Sequence, residues 1–402
     1  MKLLFGYGYT QGTTPFYYER AFRRLGDTTT CGPSDNPGRQ QDIPCEFNAD
    51  IQQIIRKVKA DCFILFPEGN FFFPQNIEKI TIPKILILSD SFINFHWHRY
   101  YASLFDLVFV AQKEYVDKLK RLGIKNTYWL PNACDPEIHR NFHLERIYDI
   151  GFVGVLNNTH NPRRSLYLKT LAGHFNVKIA SNVWLENMAK IYSQSKIIFN
   201  ISGARDLNMR VFEALSCGGL LLTDYIPNGL LNLFKDRKHC VVYHSLKEAV
   251  TLAKYYLKHS RERKQIAGQG QKEVRQKHTY SHRARFVISR ILDLTRNNPG
   301  TGNNANQMTM TDIKLNLLRS YFFINHPLLK TQLIQLTSSP ILINKKLPFY
   351  QKTAINLIRI FTTRLSYQKR KILLAMIKKL EKRRIAELIK WCYYQLLLKV
   401  SN

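Results

Sequence analysis

Tyr148-Asp149-Ile150-Gly151-Phe152-Val153-Gly154 is a short apolar run that stops on a glycine. Such a run reads as a buried strand leading into a turn. Its position decides the fold. Residues 135–146, just before it, have no clear apolar period and read as a linker. Ahead of that linker a complete strand–helix alternation has already been laid down. Residues 2–7, 61–66, 84–88, 107–111 and 128–130 read as strands, and residues 16–25, 51–59 and 114–122 as helices. After Gly154 the alternation restarts, with strands at 177–180, 196–200, 220–223 and 241–243 and helices at 164–173, 209–216, 245–257, 261–276 and 281–294. Continuous apolar strands separated by helices imply parallel sheets covered on both faces. The expectation is therefore α/β: residues 1–135 as one domain and 147–295 as a second of similar size. Ser245 with Glu248 three residues on is a capping box that marks one helix start.

Residues 296–312 are polar, Asn- and Gly-rich, and read as a linker to a third segment, 313–402. That segment has no strand rhythm. Residues 367–400 lack Pro and Gly and carry apolar residues at helical spacing, so a basic α-helical extension is expected.

The charge follows the same division. The 402 residues hold 60 Lys+Arg and 29 Asp+Glu, a formal charge of +31. Residues 1–312 account for 42 and 27 of these (+15), and residues 313–402 for 18 and 2 (+16). A nucleic-acid binder would need clustered cations and exposed aromatics. Here the 21 Tyr and 24 Phe fall mostly in apolar strands and helices, so no specific nucleic-acid partner is expected. The extension alternates Lys369-Arg370-Lys371, Lys378-Lys379 and Lys382-Arg383-Arg384 with apolar residues. Either it packs on the body with a solvated basic face, or it makes a peripheral contact with the inner face of a membrane. No apolar run approaches the ~18 residues of a membrane span. Seven scattered cysteines without a CxxC pair argue against a disulfide scaffold or zinc site and for a reducing, cytoplasmic setting.

In parallel sheets ligands sit beyond the carboxyl ends of the strands, so two sheets imply a site between them. In the first domain the strand-closing residues are Gly6 to Gly12, including Gly8, then Glu68-Gly69-Asn70, and Asp90 with Ser91, followed by His96, Trp97 and His98. Asp90 is a candidate base or a helix cap. His96 and His98 would share a face on a strand, although no carboxylate completes a metal set nearby. In the second domain Gly154 leads to Arg163-Arg164 at a helix start, a setting suited to a diphosphate. Arg210 and Glu213 are three apart on one helix face, either an internal ion pair or one group for phosphate and one for sugar hydroxyls. Gly218-Gly219 then lets backbone approach a ligand.

Four stretches carry a resemblance: Tyr148 to Gly154 with Arg163-Arg164; Ile191 to Ile197 with Asn200; Asn208-Met209-Arg210-Val211-Phe212-Glu213-Ala214-Leu215-Ser216-Cys217-Gly218-Gly219; and His278-Thr279-Tyr280-Ser281-His282-Arg283-Ala284. Together they resemble the glycosyltransferase-like domain of the CgeB spore-maturation family, within the GT-B glycosyltransferases. Leu130-Pro131-Asn132-Ala133-Cys134-Asp135 is similar to the interdomain connection of such enzymes. The likeness covers roughly residues 85–295. It implies two Rossmann-like domains facing a cleft, with a nucleotide-sugar donor held mainly by the second. Glu213 would meet the donor ribose, and Arg210 with Arg163 or Arg164 the diphosphate. Asn200, Gly154, Gly218 and, across the cleft, Gly8 complete the donor-side candidates. Asp90 and His98 are the acceptor-side catalytic candidates. No bound metal is implied, and the acceptor, a glycan, protein or lipid-linked hydroxyl, stays open. Arg205 stands where many GT-B enzymes carry an acid, with Asp206 beside it, so the resemblance leaves sugar contacts and stereochemistry open. A non-catalytic nucleotide-binding protein of the same fold, or a polyanion binder, is the alternative.

Overall fold

A computed structural model describes residues 1–35, 41–156, 163–297, 308–324 and 329–339, with Ile355 and Tyr367. The first part of the chain contains β1 (Leu3–Tyr7), α1 (Thr14–Leu25), β2 (Thr28–Gly32), β3 (Ile43–Pro44), α2 (Ile51–Val58), β4 (Cys62–Phe66), β5 (Lys84–Leu88), α3 (Ser91–Tyr101), β6 (Leu107–Val110), α4 (Lys113–Arg121) and β7 (Thr127–Trp129). Its sheet runs β3-β2-β1-β4-β5-β6-β7, with every pair parallel. All five residues of β1, β4 and β5 are buried, so each strand needs cover on both faces. One face packs on Ile51, Ile54, Trp97 and Tyr101, and the other on Phe16, Tyr18 and Phe22.

The second part contains β8 (Tyr148–Val153), α5 (Arg163–Ala172), β9 (Val177–Ala180), α6 (Leu185–Ser193), β10 (Ser195–Asn200), α7 (Met209–Ser216), β11 (Leu220–Asp224), α8 (Leu230–Leu233), β12 (Val241–Tyr243), α9 (Leu246–Lys258), α10 (Ser260–Lys277) and α11 (Tyr280–Asn297). Its parallel sheet runs β12-β11-β10-β8-β9. Ser245 caps α9 by accepting from the Glu248 N–H at 3.2 Å, and the Glu248 carboxylate reaches back to the His244 N–H at 2.7 Å.

The chain crosses between the sheets twice. The outward passage and the return touch at Cys134, whose N–H donates to His278 O (3.1 Å) and whose carbonyl accepts from Tyr280 N (2.9 Å). The return has a consequence for packing. α11 lies on the first sheet against α1, burying Tyr280, Ala284, Val287 and Ile291 in that core. Residues 280–297 follow the second sheet in sequence and yet complete the cover of the first.

α12 (Met310–Ile324) and α13 (Lys330–Thr337) extend the molecule. α12 packs along α3, with Leu315, Leu318 and Tyr321 buried and Phe323 stacked on Tyr100 (6.0 Å between centroids). Except for Tyr367, the basic stretch 367–400 lies outside the described residues. Among the described residues no helix is long and apolar enough to cross a membrane.

Candidate functional site

The carboxyl ends of the two sheets face a cleft of about 340 Å³. Arg210, in the first turn of α7, is its best-fixed group. Its Nε donates to Val153 O and its Nη1 to Asn200 Oδ1, both at 2.8 Å, and its guanidinium lies 4.4 Å from the centre of the Phe152 ring. A Cβ on Gly154 would fall 2.0 Å from Arg210 Nη2, so a larger residue there would push the guanidinium from its place. Arg164, in the first turn of α5, binds the carbonyls of Val155 and Ile201. Burial, and then Arg210, push its pKa down to about 10. Two guanidiniums thus share one edge of the cleft. Among the described residues no carboxylate is in ion-pair contact with either. Asp224 and Glu213 are close enough to act on Arg164 and Arg210 electrostatically, but neither is in direct ion-pair contact, a setting that suits an anion.

Glu213 lies one turn further along α7 and also lines the cleft. Burial pushes its carboxyl up to about 7, opposed by Arg210. Arg210 and Glu213 therefore reach the same cavity from one helix face without pairing.

On the opposite wall, Asp90 precedes α3 in a left-handed backbone conformation (φ 48°), and its side chain makes no capping bond. Its carbonyl accepts from Ile93 N and Asn94 N instead. Non-glycine residues are uncommon in this region, Asp less so than most. Asp206 lines the cleft from the second domain. Ala204 and Arg205, both with positive φ (49° and 57°), turn the chain so that Arg205 is exposed and Asp206 enters. Gln112 Nε2 and Asn228 Nδ2 donate to the two Asp206 oxygens at 3.1 and 3.2 Å. Burial, with Asp90 adding repulsion, holds the Asp206 carboxyl at about 6.

Several expected site residues lie elsewhere. His98 is fully buried under the first sheet's helices, with Nε2 2.7 Å from Glu68 Oε1 and Nδ1 3.1 Å from Ser91 Oγ. It does not line the cleft, because residues 91–101 form a helix and not a strand. The same helix separates His96 from His98, and His96 meets Phe323 of α12. Gly8 is explained by the chain itself, since it bridges to Asn70 and a Cβ would lie 1.9 Å from Asn70 O. Asn200 is buried and holds Arg210 and Asn208 through Oδ1, with Thr223 through Nδ2, so it acts behind the cleft. Gly218 (φ 74°) turns the chain after α7 against Gln271. Arg163 is exposed at the start of α5 and is absent from the cavity lining, whereas Arg164 is part of it.

Residues not anticipated also meet the cleft. Tyr17 comes from α1, Gln112 from the end of β6, and Asn182 and Trp184 from the turn after β9. Asn182 and Leu185 both have positive φ, and Trp184 is half exposed. A glycine-free turn carries no sequence signal for such conformations. Among the described residues no group of three His, Cys, Asp or Glu is arranged to hold a metal ion.

Two parallel sheets meeting carboxyl end to carboxyl end, with a final helix returned to the first, define the GT-B fold. Residues 159–289, about a third of the chain, match a family described as glycosyl transferase-like. Among solved structures, the chain is similar to sucrose-phosphate synthase from Thermosynechococcus elongatus (8% identity, 74% of this chain and 100% of that one, TM-score 0.55). It is similar to a glycosyltransferase from Rickettsia africae (10% identity, 74% and 99%, TM-score 0.53) and to Anabaena HepE in complex with UDP-glucose (12% identity, 73% and 100%, TM-score 0.51). These likenesses define the fold. No curated protein sequence matches the chain.

Proposed function

We propose that the protein is a glycosyltransferase that moves a sugar from a nucleoside-diphosphate sugar to an acceptor hydroxyl. The observation that carries this reading is the pair Arg210 and Arg164, in direct ion-pair contact with no carboxylate among the described residues, on the same cleft edge as the buried carboxyl of Glu213. The glycosyl transferase-like match over residues 159–289 supports it, as does the similarity to HepE in complex with UDP-glucose.

In this reading the diphosphate lies on Arg210 and Arg164 beside Gly154, and Glu213 accepts from the ribose hydroxyls. The acceptor oxygen bonds to the anomeric carbon, whose bond to the phosphate oxygen breaks. Negative charge develops on the leaving diphosphate, where fixed guanidiniums stabilise it without reorganisation. The acceptor proton passes to a carboxylate. Asp90 is our assignment for that base, with Asp206 facing it from the donor wall. Asp206 also stands beside Arg205, the position at which an acid is expected for sugar contacts, and we propose that it serves in its stead.

We further assign the chain to a CgeB-like branch on the four stretches quoted above. Residues 1–135 are the acceptor-side unit and 147–295 the donor unit, although its last helix, α11, packs back on the acceptor-side sheet; residues 296–312, which run into the start of α12 at Met310, lead to an extension over 313–402. The packing of α12 on α3 supports an extension integrated with the acceptor-side unit. Lipid contact by the basic residues beyond it is a separate proposal, and liposome flotation with and without residues 340–402 tests it: equal flotation of both forms removes it.

The central test is a thermal-shift screen of nucleoside diphosphates and their sugars, repeated on Glu213→Ala. The expected result is stabilisation by one nucleotide family, lost in the variant. Stabilisation that survives Glu213→Ala would contradict the ribose assignment. A nucleotide that binds without sugar turnover would leave a non-catalytic GT-B protein.

A further inference from the structure

The geometry points to His139 as a positioning residue that holds Glu213 and Tyr17 as a pair facing the ribose side of the cleft. This inference rests on the donor reading above, but a different set of atoms carries it. His139 lies on the outward passage between the sheets and is fully buried. The Asp135 N–H donates to His139 Nδ1 at 3.1 Å. A ring nitrogen that accepts from a backbone N–H carries no proton, so the single proton of the neutral ring sits on Nε2. Burial keeps the ring neutral by pushing its pKa down to about 4.

That Nε2–H faces two groups that line the cleft. Tyr17 Oη is 3.0 Å away and Glu213 Oε1 is 3.8 Å away. Tyr17 arrives from the first domain on α1 and Glu213 from the second on α7, so the imidazole stands between the two walls. Both sides of its mount are tied down. Arg20 and Arg24 of α1 bind Asp135 and Glu137, and the Ser216 hydroxyl of α7 donates to the His139 carbonyl. Tyr17 is also stacked on Tyr280 at 5.1 Å, with 14° between the rings. With its oxygen accepting from His139, Tyr17 keeps its own proton free to donate, with Glu213 and Asp135 the nearby carboxylates. The N–H dipole of His139 meanwhile favours the ionised form of Glu213, the form that accepts hydrogen bonds from ribose hydroxyls.

The groups facing Glu213 are Arg210 and Cys217 on its own helix, Tyr192 from α6, Tyr17 from α1, Tyr280 from α11 and His139. Of these, Arg210 is the charge that favours the carboxylate, and the His139 N–H, 3.8 Å away, adds its dipole to it. Removing His139 therefore makes Glu213 harder to ionise.

The test is calorimetric titration of the full-length protein with UDP and GDP between pH 5.5 and 8.5, using wild type, His139→Leu and His139→Gln. For the nucleotide that binds, wild-type affinity should fall as pH drops through about 7. In His139→Leu that fall should begin about one pH unit higher, with affinity at pH 7 lowered about five-fold. His139→Gln, which keeps an N–H donor, should restore both. The 2′,3′-dideoxy nucleotide should bind all three proteins alike. A midpoint unmoved in both variants, whatever their melting temperatures, would overturn the role of His139 and leave the donor reading standing. A wild type that binds neither nucleotide would overturn the donor reading itself, and this inference with it.

Discussion

The two walls of the cleft are built on different terms. On the second-sheet wall Arg210 is held by two 2.8 Å hydrogen bonds to the protein, lies over Phe152, and fits only because residue 154 is glycine. Asn200, which fixes it, is itself fixed by Thr223 and Asn208. On the first-sheet wall the residue we propose as base, Asp90, is exposed and sits on a left-handed turn. One wall is organised before any ligand arrives, which reduces the ordering cost of binding. The other leaves room for an acceptor to shape the contact. In the proposed reading the donor site is built in advance, and the acceptor wall is the more adaptable of the two.

The largest effect should come from the organised wall. In the proposed donor reading Arg210→Ala removes the main diphosphate contact, and it takes from Asn200 Oδ1 and Val153 O one of the donors each accepts from. Nucleotide affinity should fall about 100-fold, with about 2 kcal/mol of stability lost, by titration and thermal melting. Arg210→Lys should not rescue it, because an ammonium cannot make both contacts and also face the phosphates. On the adaptable wall, Asp90→Asn should lower turnover about 100-fold while nucleotide affinity stays within about two-fold. Equal losses in binding and turnover would erase the distinction between the walls.

Gly154→Ala sharpens the comparison. Gly154 is not in the left-handed region, so the backbone tolerates alanine and the added methyl acts only by displacing Arg210 Nη2. Affinity should fall about ten-fold, with far-ultraviolet dichroism unchanged.

The pH dependence follows from Glu213. Its folded pKa, raised by burial to about 7, exceeds the ordinary 4.5. Ionising it in the empty cleft therefore opposes folding. That cost is complete above about pH 7 and vanishes as pH falls below 4.5. Glu213→Gln should stabilise the free protein by about 2–3 kcal/mol at pH 8 and by nothing at pH 4. The same variant should weaken nucleotide binding, a trade of stability for function. His98→Gln should give the smallest functional effect: a lowered melting temperature with nucleotide affinity unchanged.

How much of this was legible follows from which signals are local. β1, β4 and β6 are apolar runs and β5 is one after its opening Lys84, and their burial on both faces is what such runs mean. β2 escapes notice because Thr28-Thr29-Thr30-Cys31-Gly32 is polar in composition, and β3 because it is two residues long. α3 hides for the opposite reason. Phe92, Phe95, His96 and Trp97 surround the helix with large groups, because α12 covers the face that would otherwise be polar. The return of α11 is invisible for a similar reason, since an apolar stripe does not name its partner. At the site, Arg210 and Glu213 were readable because three-residue spacing puts them on one face whatever the tertiary fold. His98 and Gly8 misled because a chemically capable residue near a strand end is only a candidate until burial is known. Asp206 and His139 depend on two strained residues and on one backbone N–H, and neither leaves a pattern in sequence.

The most direct measurement is the structure of the full-length protein with a bound nucleoside diphosphate. The account predicts phosphate oxygens within about 3 Å of Arg210 and Arg164 and ribose hydroxyls on the Glu213 carboxylate. A nucleotide bound in the cleft with its phosphates away from both arginines, or its ribose away from Glu213, would contradict it.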